Sequence, residues 1–212
     1  MKTVVGITWL PRKVETFQQM QHSIKFDNCI VYPDGVKFTH RTDFEVMELG
    51  ENKGCFKHYY RVLKDLYENT DAELIAIFPD DVIFKEGWLS LVHQQFRKNP
   101  YIGYLACYTP KGMRHLVTGR TGWHEIKGGW AKSWGGGYVY RRKVVGKLLK
   151  HPFILNHLDN YEKNQQIDHA IPEAIHQMGL IQMIHNPSLL QHVGKFSTIG
   201  HKHRPIDNAL GW

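Results

Sequence analysis

The stretch that most constrains this chain is Leu74 to Phe84, LIAIFPDDVIF. Leu74-Ile75-Ala76-Ile77-Phe78 is short, β-rich and apolar without alternation, the pattern of a strand buried on both faces. A strand of that kind needs helices above and below it, which points to a layered α/β fold. Pro79-Asp80-Asp81 ends the run. Two adjacent carboxylates there are costly to bury unless something positive sits on them. In open α/β sheets the carboxyl end of a strand is where ligands bind. One reading is that Asp80 and Asp81 hold a divalent cation, and the cation a diphosphate. The other is a strand end followed by a solvated acidic turn.

The flanking segments supply the rest of such a sheet. Lys2 to Trp9 is rich in β-branched residues and reads as a strand. Pro11 breaks it, and Val14 to Lys25 then places apolar residues at 14, 17, 20 and 24, a helical spacing. Asn28 to Tyr32 is a second strand closed by the turn Pro33-Asp34-Gly35. Strand, helix and strand at this spacing predict a parallel βαβ unit. Val36 to Leu49 is mixed, with a short strand and a loop, and Gly50 to Gly54 is a turn. Cys55 to Asn69 is an amphipathic helix leading into the Leu74 strand. Glu86 to Asn99 is another helix, and Tyr101 to Tyr108 another strand. Thr109 to Trp134 is glycine-rich and without periodicity. Tyr138 to Tyr140 is a brief strand, Val144 to Lys150 starts a helix, and Ile167 to Met178 is a helix with Pro172 in its first turns. Leu180 to His185 is a strand, and Asn186 to Gly194 reads as a loop. No repeat or domain boundary interrupts the chain, so residues 1–212 are read as one domain with a mixed, mostly parallel sheet flanked by helices.

Composition narrows the function classes. At 42% hydrophobic and 22% charged residues, the chain is globular rather than disordered. No apolar run reaches the roughly 20 residues of a membrane span. The opening MKTVVGITWLPRK meets Pro11 and two basic residues too soon for a signal peptide. Cys29, Cys55 and Cys107 have no C-x-x-C spacing, which fits a reducing cytoplasm and neither a disulfide framework nor a zinc site. The net charge of +7, from 27 Lys and Arg against 20 Asp and Glu, favours polyanionic partners: nucleotide phosphates, nucleic acid or anionic lipid headgroups. There is no transmembrane segment and no signal for oligomeric state.

Four further features bear on chemistry. Carboxylates such as Asp80 and Asp81 are hard oxygen ligands suited to Mg²⁺ or Mn²⁺. Asp168 opens a helix, where it is either a general base or a carboxylate favoured by the helix dipole. His192 lies in PSLLQHVG and is either structural or a metal ligand. Trp134 to Tyr138, WGGGY, lets a backbone approach a ligand closely or makes a tight turn. Neither a dinucleotide fingerprint nor a P-loop is present.

Taken in order, these segments resemble the GT-A class of nucleotide-sugar glycosyltransferases, of the family 2-like and N-acetylglucosaminyltransferase-like kind. Pro79-Asp80-Asp81 is similar to the D-x-D or E-D-D metal motif, with proline where the family has its first acid. The resemblance implies Asp81 as direct metal ligand, Asp80 as support for the nucleotide or ribose, and His192 as a further metal ligand. It implies Thr8, Arg12, Gly136 and Gly137 beside the donor, and Asp168 as the base of an inverting transfer from a UDP-sugar. It divides the chain into a donor half, about 1–108, and an acceptor and catalytic half, about 109–212. Lys195, Lys202 and Arg204 would close over the phosphates, and Trp123, Trp130 and Trp134 would stack on sugars or bases. The acceptor is a saccharide, a lipid-linked sugar or a hydroxymethylated base in DNA. The competing readings are a non-catalytic basic nucleotide- or nucleic-acid-binding domain, and a metal-dependent nucleotidyltransferase.

Overall fold

Residues 1–11, 14–117, 119–127, 137–160, 166–194 and 209–212 are described by a computed structural model. Arg12, Gly136, Trp130, Trp134, Lys195, Lys202 and Arg204 lie outside the described residues. In chain order the elements are β1 (Thr3–Trp9), α1 (Val14–Ile24), β2 (Cys29–Pro33), β3 (Glu45–Val46), α2 (Cys55–Asn69), β4 (Leu74–Pro79), β5 (Val82–Phe84), α3 (Trp88–Lys98), β6 (Ile102–Ala106) and a 3-10 turn (Lys111–Leu116). They continue with β7 (Gly122–Ile126), β8 (Tyr138–Arg141), α4 (Arg142–Leu148), α5 (Pro152–Asp159), α6 (Ile167–Gln177), β9 (Ile181–Asn186) and β10 (Leu190–His192).

Leu74 to Phe78 are all buried, as their unbroken apolar run requires. β4 lies inside an eight-stranded sheet of order β3-β2-β1-β4-β8-β6-β9-β7. β3, β2, β1 and β4 run parallel. β8 is antiparallel to both β4 and β6, so β6 points the same way as β4. β9 is parallel to β6, and β7 closes the edge antiparallel to β9. The sheet is thus mixed, and β8, from the second half of the chain, is inserted between two strands of the first half.

Helices cover both faces. Phe56, Tyr59, Val62, Leu63 and Leu66 turn the apolar stripe of α2 onto one face, shared with α4, α5 and α6. Phe17 and Met20 of α1, and Trp88, Val92 and Phe96 of α3, cover the other. Burying two such layers is the main favourable term in folding.

Several elements differ from the sequence expectation. Asn186 to Gly194 is not wholly loop: Leu190–His192 pairs antiparallel with Val82–Phe84 as a separate two-stranded sheet. Three residues carry too little pattern to reveal a strand. The irregular middle contains the 3-10 turn and β7, and Pro152–Asp159 forms a helix of its own, with His151 capping it by accepting the Phe153 N–H at 3.3 Å.

His185 on β9 is 5% exposed. Burial is the largest cause pushing its pKa below the ordinary 6.5, ahead of the charges of His124 and Lys85; the hydrogen bond between Nδ1 and the Pro187 carbonyl works in the other direction. A depressed pKa means that the unfolded chain takes up a proton at 6.5 that the folded chain refuses. This contribution to stability is therefore full above pH 6.5 and declines as pH falls below it, by at most about 1.4 kcal/mol per pH unit for one proton. Thermal melts between pH 7.5 and 5.5 should show this loss, and His185→Gln should flatten it. An unchanged slope in the variant would remove His185 from the account.

Candidate active site

The carboxyl ends of β1, β2 and β4 lie side by side, and the candidate residues collect there. Thr8 near the end of β1 stitches that strand to β4. Its Oγ1 donates to the Phe78 carbonyl at 3.4 Å, and its carbonyl accepts the Asp80 N–H at 3.1 Å. Asp80 is 1% exposed, and its Oδ2 accepts the Leu10 N–H at 3.3 Å. Asp80 therefore grips the segment that leaves β1.

Asp81, also 1% exposed, turns toward β10. Its Oδ2 lies 2.9 Å from His192 Nε2, across 111 residues of sequence. The β5–β10 ladder makes that meeting possible. Leu190, Gln191 and His192 register with Phe84, Ile83 and Val82, and the Val193 N–H donates to the Asp81 carbonyl at 2.8 Å. Phe78, Phe84 and Trp88 lock the ladder from beneath, with ring centroids 4.9 to 5.4 Å apart. Buried Ser188 holds the approach to β10, its hydroxyl accepting the Thr109 N–H at 2.9 Å and donating to the Leu190 carbonyl at 2.7 Å.

Gly137 has a packing task. A Cβ there would meet Leu190 Cδ1 at 2.8 Å and Phe78 Cδ1 at 3.2 Å. The absence of a side chain lets the start of β8 lie against β4 and β10, directly behind the aspartates. Trp123 on β7 packs edge-on against the His185 ring, centroids 4.9 Å apart.

Asp168 lies in the first turn of α6 and is exposed. α6 leads into the starting end of β9, so its first turn stands at the carboxyl end of the parallel strands, the end that carries Asp80 and Asp81. The Cys55 thiol at the start of α2 reports the same neighbourhood. It is pushed up to about 11, first by burial and then by the negative charges of Asp34 and Asp168.

Asp34, read from sequence only as part of a turn, is a further candidate. It is 8% exposed at the end of β2, and its Oδ1 is buried without a hydrogen-bond donor. His58 Nδ1 lies 3.5 Å away, while His58 Nε2 sits 3.2 Å from the Tyr32 carbonyl. Burial raises the Asp34 pKa and lowers that of His58, so burial favours the uncharged form of each. Beside them opens a cleft of about 270 Å³ lined by Pro33, Gly35, Val36, Lys37, Glu48 and Gly50. The Pro-Asp-Gly turn signal hides this carboxyl, because turn aspartates are ordinarily solvated.

Among the described residues, no three His, Cys, Asp or Glu side chains stand together as a ready metal cage. The donor set nevertheless suits a hard cation: two carboxylates from β4's end and one imbricated imidazole from β10 are the ligand types of Mn²⁺ or Mg²⁺ sites. Asp81 and His192 would hold it, with Asp80 beside them.

No family model matches the chain, and no curated protein matches it. Solved structures do. GalNAc-T7, crystallised with UDP, GalNAc and Mn²⁺, aligns over 97% of this chain with a TM-score of 0.65 and 10% identity. TarS of S. aureus, residues 1–349, aligns over 90% with a TM-score of 0.57 and 13% identity. The chain spans only 45% and 60% of those two chains. At such identity the likeness is one of fold. The eight-stranded mixed sheet with helices on both faces is the GT-A architecture.

Proposed function

We propose that the chain is a metal-dependent glycosyltransferase that moves a sugar from a nucleotide diphosphate sugar, a UDP-sugar, to an acceptor hydroxyl with inversion. The observation that carries this reading is the meeting of buried Asp81 with His192, 2.9 Å apart at the carboxyl end of β4, beside Asp80. The fold adds support, since a structure of the same architecture holds UDP and Mn²⁺. Asp81 and His192, with Asp80 beside them, would hold Mn²⁺ or Mg²⁺, which when bound would supply Lewis-acid neutralisation of the diphosphate.

The protein's own groups do the rest. Thr8 and Asp80 fix the β1 end against β4, so the donor meets a rigid floor. Asp34, between the cleft-lining Pro33 and Gly35, would accept a hydrogen bond from a nucleobase N–H through the carboxylate oxygen that does not face His58. Asp168 takes the proton of the acceptor hydroxyl. The acceptor oxygen then bonds to the anomeric carbon on the face opposite the diphosphate, the carbon–phosphate-oxygen bond breaks, and UDP leaves. Three free cysteines, two of them buried, suit a reducing, cytoplasmic setting.

The test is a panel of nucleotide sugars scored by thermal stabilisation with and without Mn²⁺, because a ligand that binds only the folded chain raises its melting temperature. UDP-sugars should stabilise only when metal is present. Equal shifts without Mn²⁺, or none, would count against the reading. Asp34→Ala should weaken uridine nucleotide binding by about tenfold, the worth of one hydrogen bond to a charged or buried group, and should narrow the preference for uracil. Wild-type affinity in that variant would remove Asp34 from the donor site.

A further inference from the structure

The two halves of the chain differ sharply in charge. Residues 1–108 carry 13 Lys and Arg against 14 Asp and Glu, whereas residues 109–212 carry 14 against 6. The whole positive excess therefore lies in the half that follows β6. Residues 141–150 carry five of these cations, but Arg141 pairs with Leu74 at the starting end of β4, so α4 begins at the end of the sheet opposite Asp81. At the Asp81 end the described cations lie on the 3-10 turn and the approach to β7. Lys111, Arg114 and Arg120 are exposed there, with His115 and His124 nearby and Glu125 the only acid of the segment, while Lys127 is exposed at the far end of β7, next to the start of β9. None of the three cations Lys111, Arg114 and Arg120 makes an ion pair among the described residues.

The cations stand on a fixed base. Met113 and Val117 are buried beneath them. The Arg120 carbonyl accepts from Asn186 Nδ2 at 2.9 Å and lies 2.8 Å from His124 Nε2, which ties the Arg120 turn to the end of β9. The 3-10 turn follows directly from Thr109, the residue bonded to Ser188 on the approach to His192. Both the turn and the start of β7 stand at the carboxyl end of β6 and β9, the end that carries Asp81 and Asp168.

We infer that this face holds a double-stranded nucleic acid through its phosphates, and that the acceptor hydroxyl is carried on that duplex. The inference rests on the transferase reading above for the word acceptor; the binding surface stands by itself. Guanidinium groups such as those of Arg114 and Arg120 bind phosphate oxygens two at a time. A duplex offers a phosphate charge every 1.7 Å or so along its axis, which suits several unpaired cations on one face. A bilayer fits less well, because Met113, Val117 and Ile126 are buried and Leu116 and Trp123 pack half-buried against the core, so none of the segment's large apolar side chains is fully exposed for insertion.

The experiment measures binding of a labelled DNA duplex by fluorescence anisotropy across salt concentrations, with UDP and Mn²⁺ binding measured on the same samples. Wild-type chain should bind with a steep salt slope. The triple variant Lys111→Ala, Arg114→Ala, Arg120→Ala should lower that slope by about 0.9 per lost phosphate contact while leaving UDP binding unchanged. Lys143→Ala with Lys147→Ala, which removes two exposed charges from α4, should keep the wild-type slope. Absence of duplex binding at low salt, an equal loss in both variants, or preference for phosphatidylglycerol vesicles over duplex would overturn the proposal. Duplex binding without UDP binding would sink the transferase reading and keep the surface; UDP binding without duplex binding would do the reverse.

Discussion

Asp81→Ala should abolish Mn²⁺-dependent UDP binding while the chain stays folded. Asp81 is where β4, β5 and β10 meet, and its carboxylate is the group that His192 approaches at 2.9 Å. Loss of a group that merely supports a metal ligand costs about 10- to 100-fold in metal affinity, so loss of a direct ligand should cost more than about 100-fold. Removing the carboxylate also leaves the half-buried His192 ring facing a small void, a modest structural cost set against the relief of one buried charge. The fold is held by the β5–β10 ladder and the Phe78, Phe84 and Trp88 rings, none of which needs the carboxylate. His192→Ala should weaken metal-dependent binding less than Asp81→Ala, because the carboxylate brings the charge. Calorimetry with UDP and Mn²⁺ on both variants measures this ordering. Full binding by Asp81→Ala would move the metal elsewhere.

Asp168→Asn should leave UDP binding intact and cut turnover by about 10²- to 10⁴-fold, the usual worth of a positioned general base. Asparagine keeps the shape and removes the ability to take a proton. Asp168 is exposed on the first turn of α6, an element separate from the β4 end and β10 that carry Asp80, Asp81 and His192. Binding and chemistry should therefore separate cleanly. The measurement is a pair of assays, UDP affinity by calorimetry and sugar transfer or UDP release under saturating donor. If transfer ran at the wild-type rate, Asp168 would be only a helix-terminal carboxylate; if UDP binding fell with it, its role would be structural.

Much of this arrangement can be read from residue order. Leu74 to Phe78 reads as a doubly covered strand from its short, β-rich, unbroken apolar run, and the helices of the first half follow from their apolar spacing. Asp80 and Asp81 stand out because a buried strand rarely ends in two acids. What could not be read has physical reasons. Strand order is a tertiary property, so the insertion of antiparallel β8 between β4 and β6 leaves no trace in periodicity. β10 is three residues long, and its pairing with β5, which delivers His192 to Asp81, joins segments more than 100 residues apart. Gly137 also has a packing task that WGGGY alone does not reveal, since Phe78 and Leu190 leave no room for a Cβ there. Asp34 looks like a turn residue and is a buried carboxyl beside a cleft. The charge division between the halves matters only once the fold places the 3-10 turn and β7 at the ligand end of the sheet.

The most direct measurement of the central claim is a calorimetric titration of UDP into the wild-type chain, with Mn²⁺ and again with EDTA. A donor site built on Asp81, Asp80 and His192 predicts saturable one-to-one binding with Mn²⁺ and its loss in EDTA. Equal binding in both buffers, or no binding in either, would contradict it.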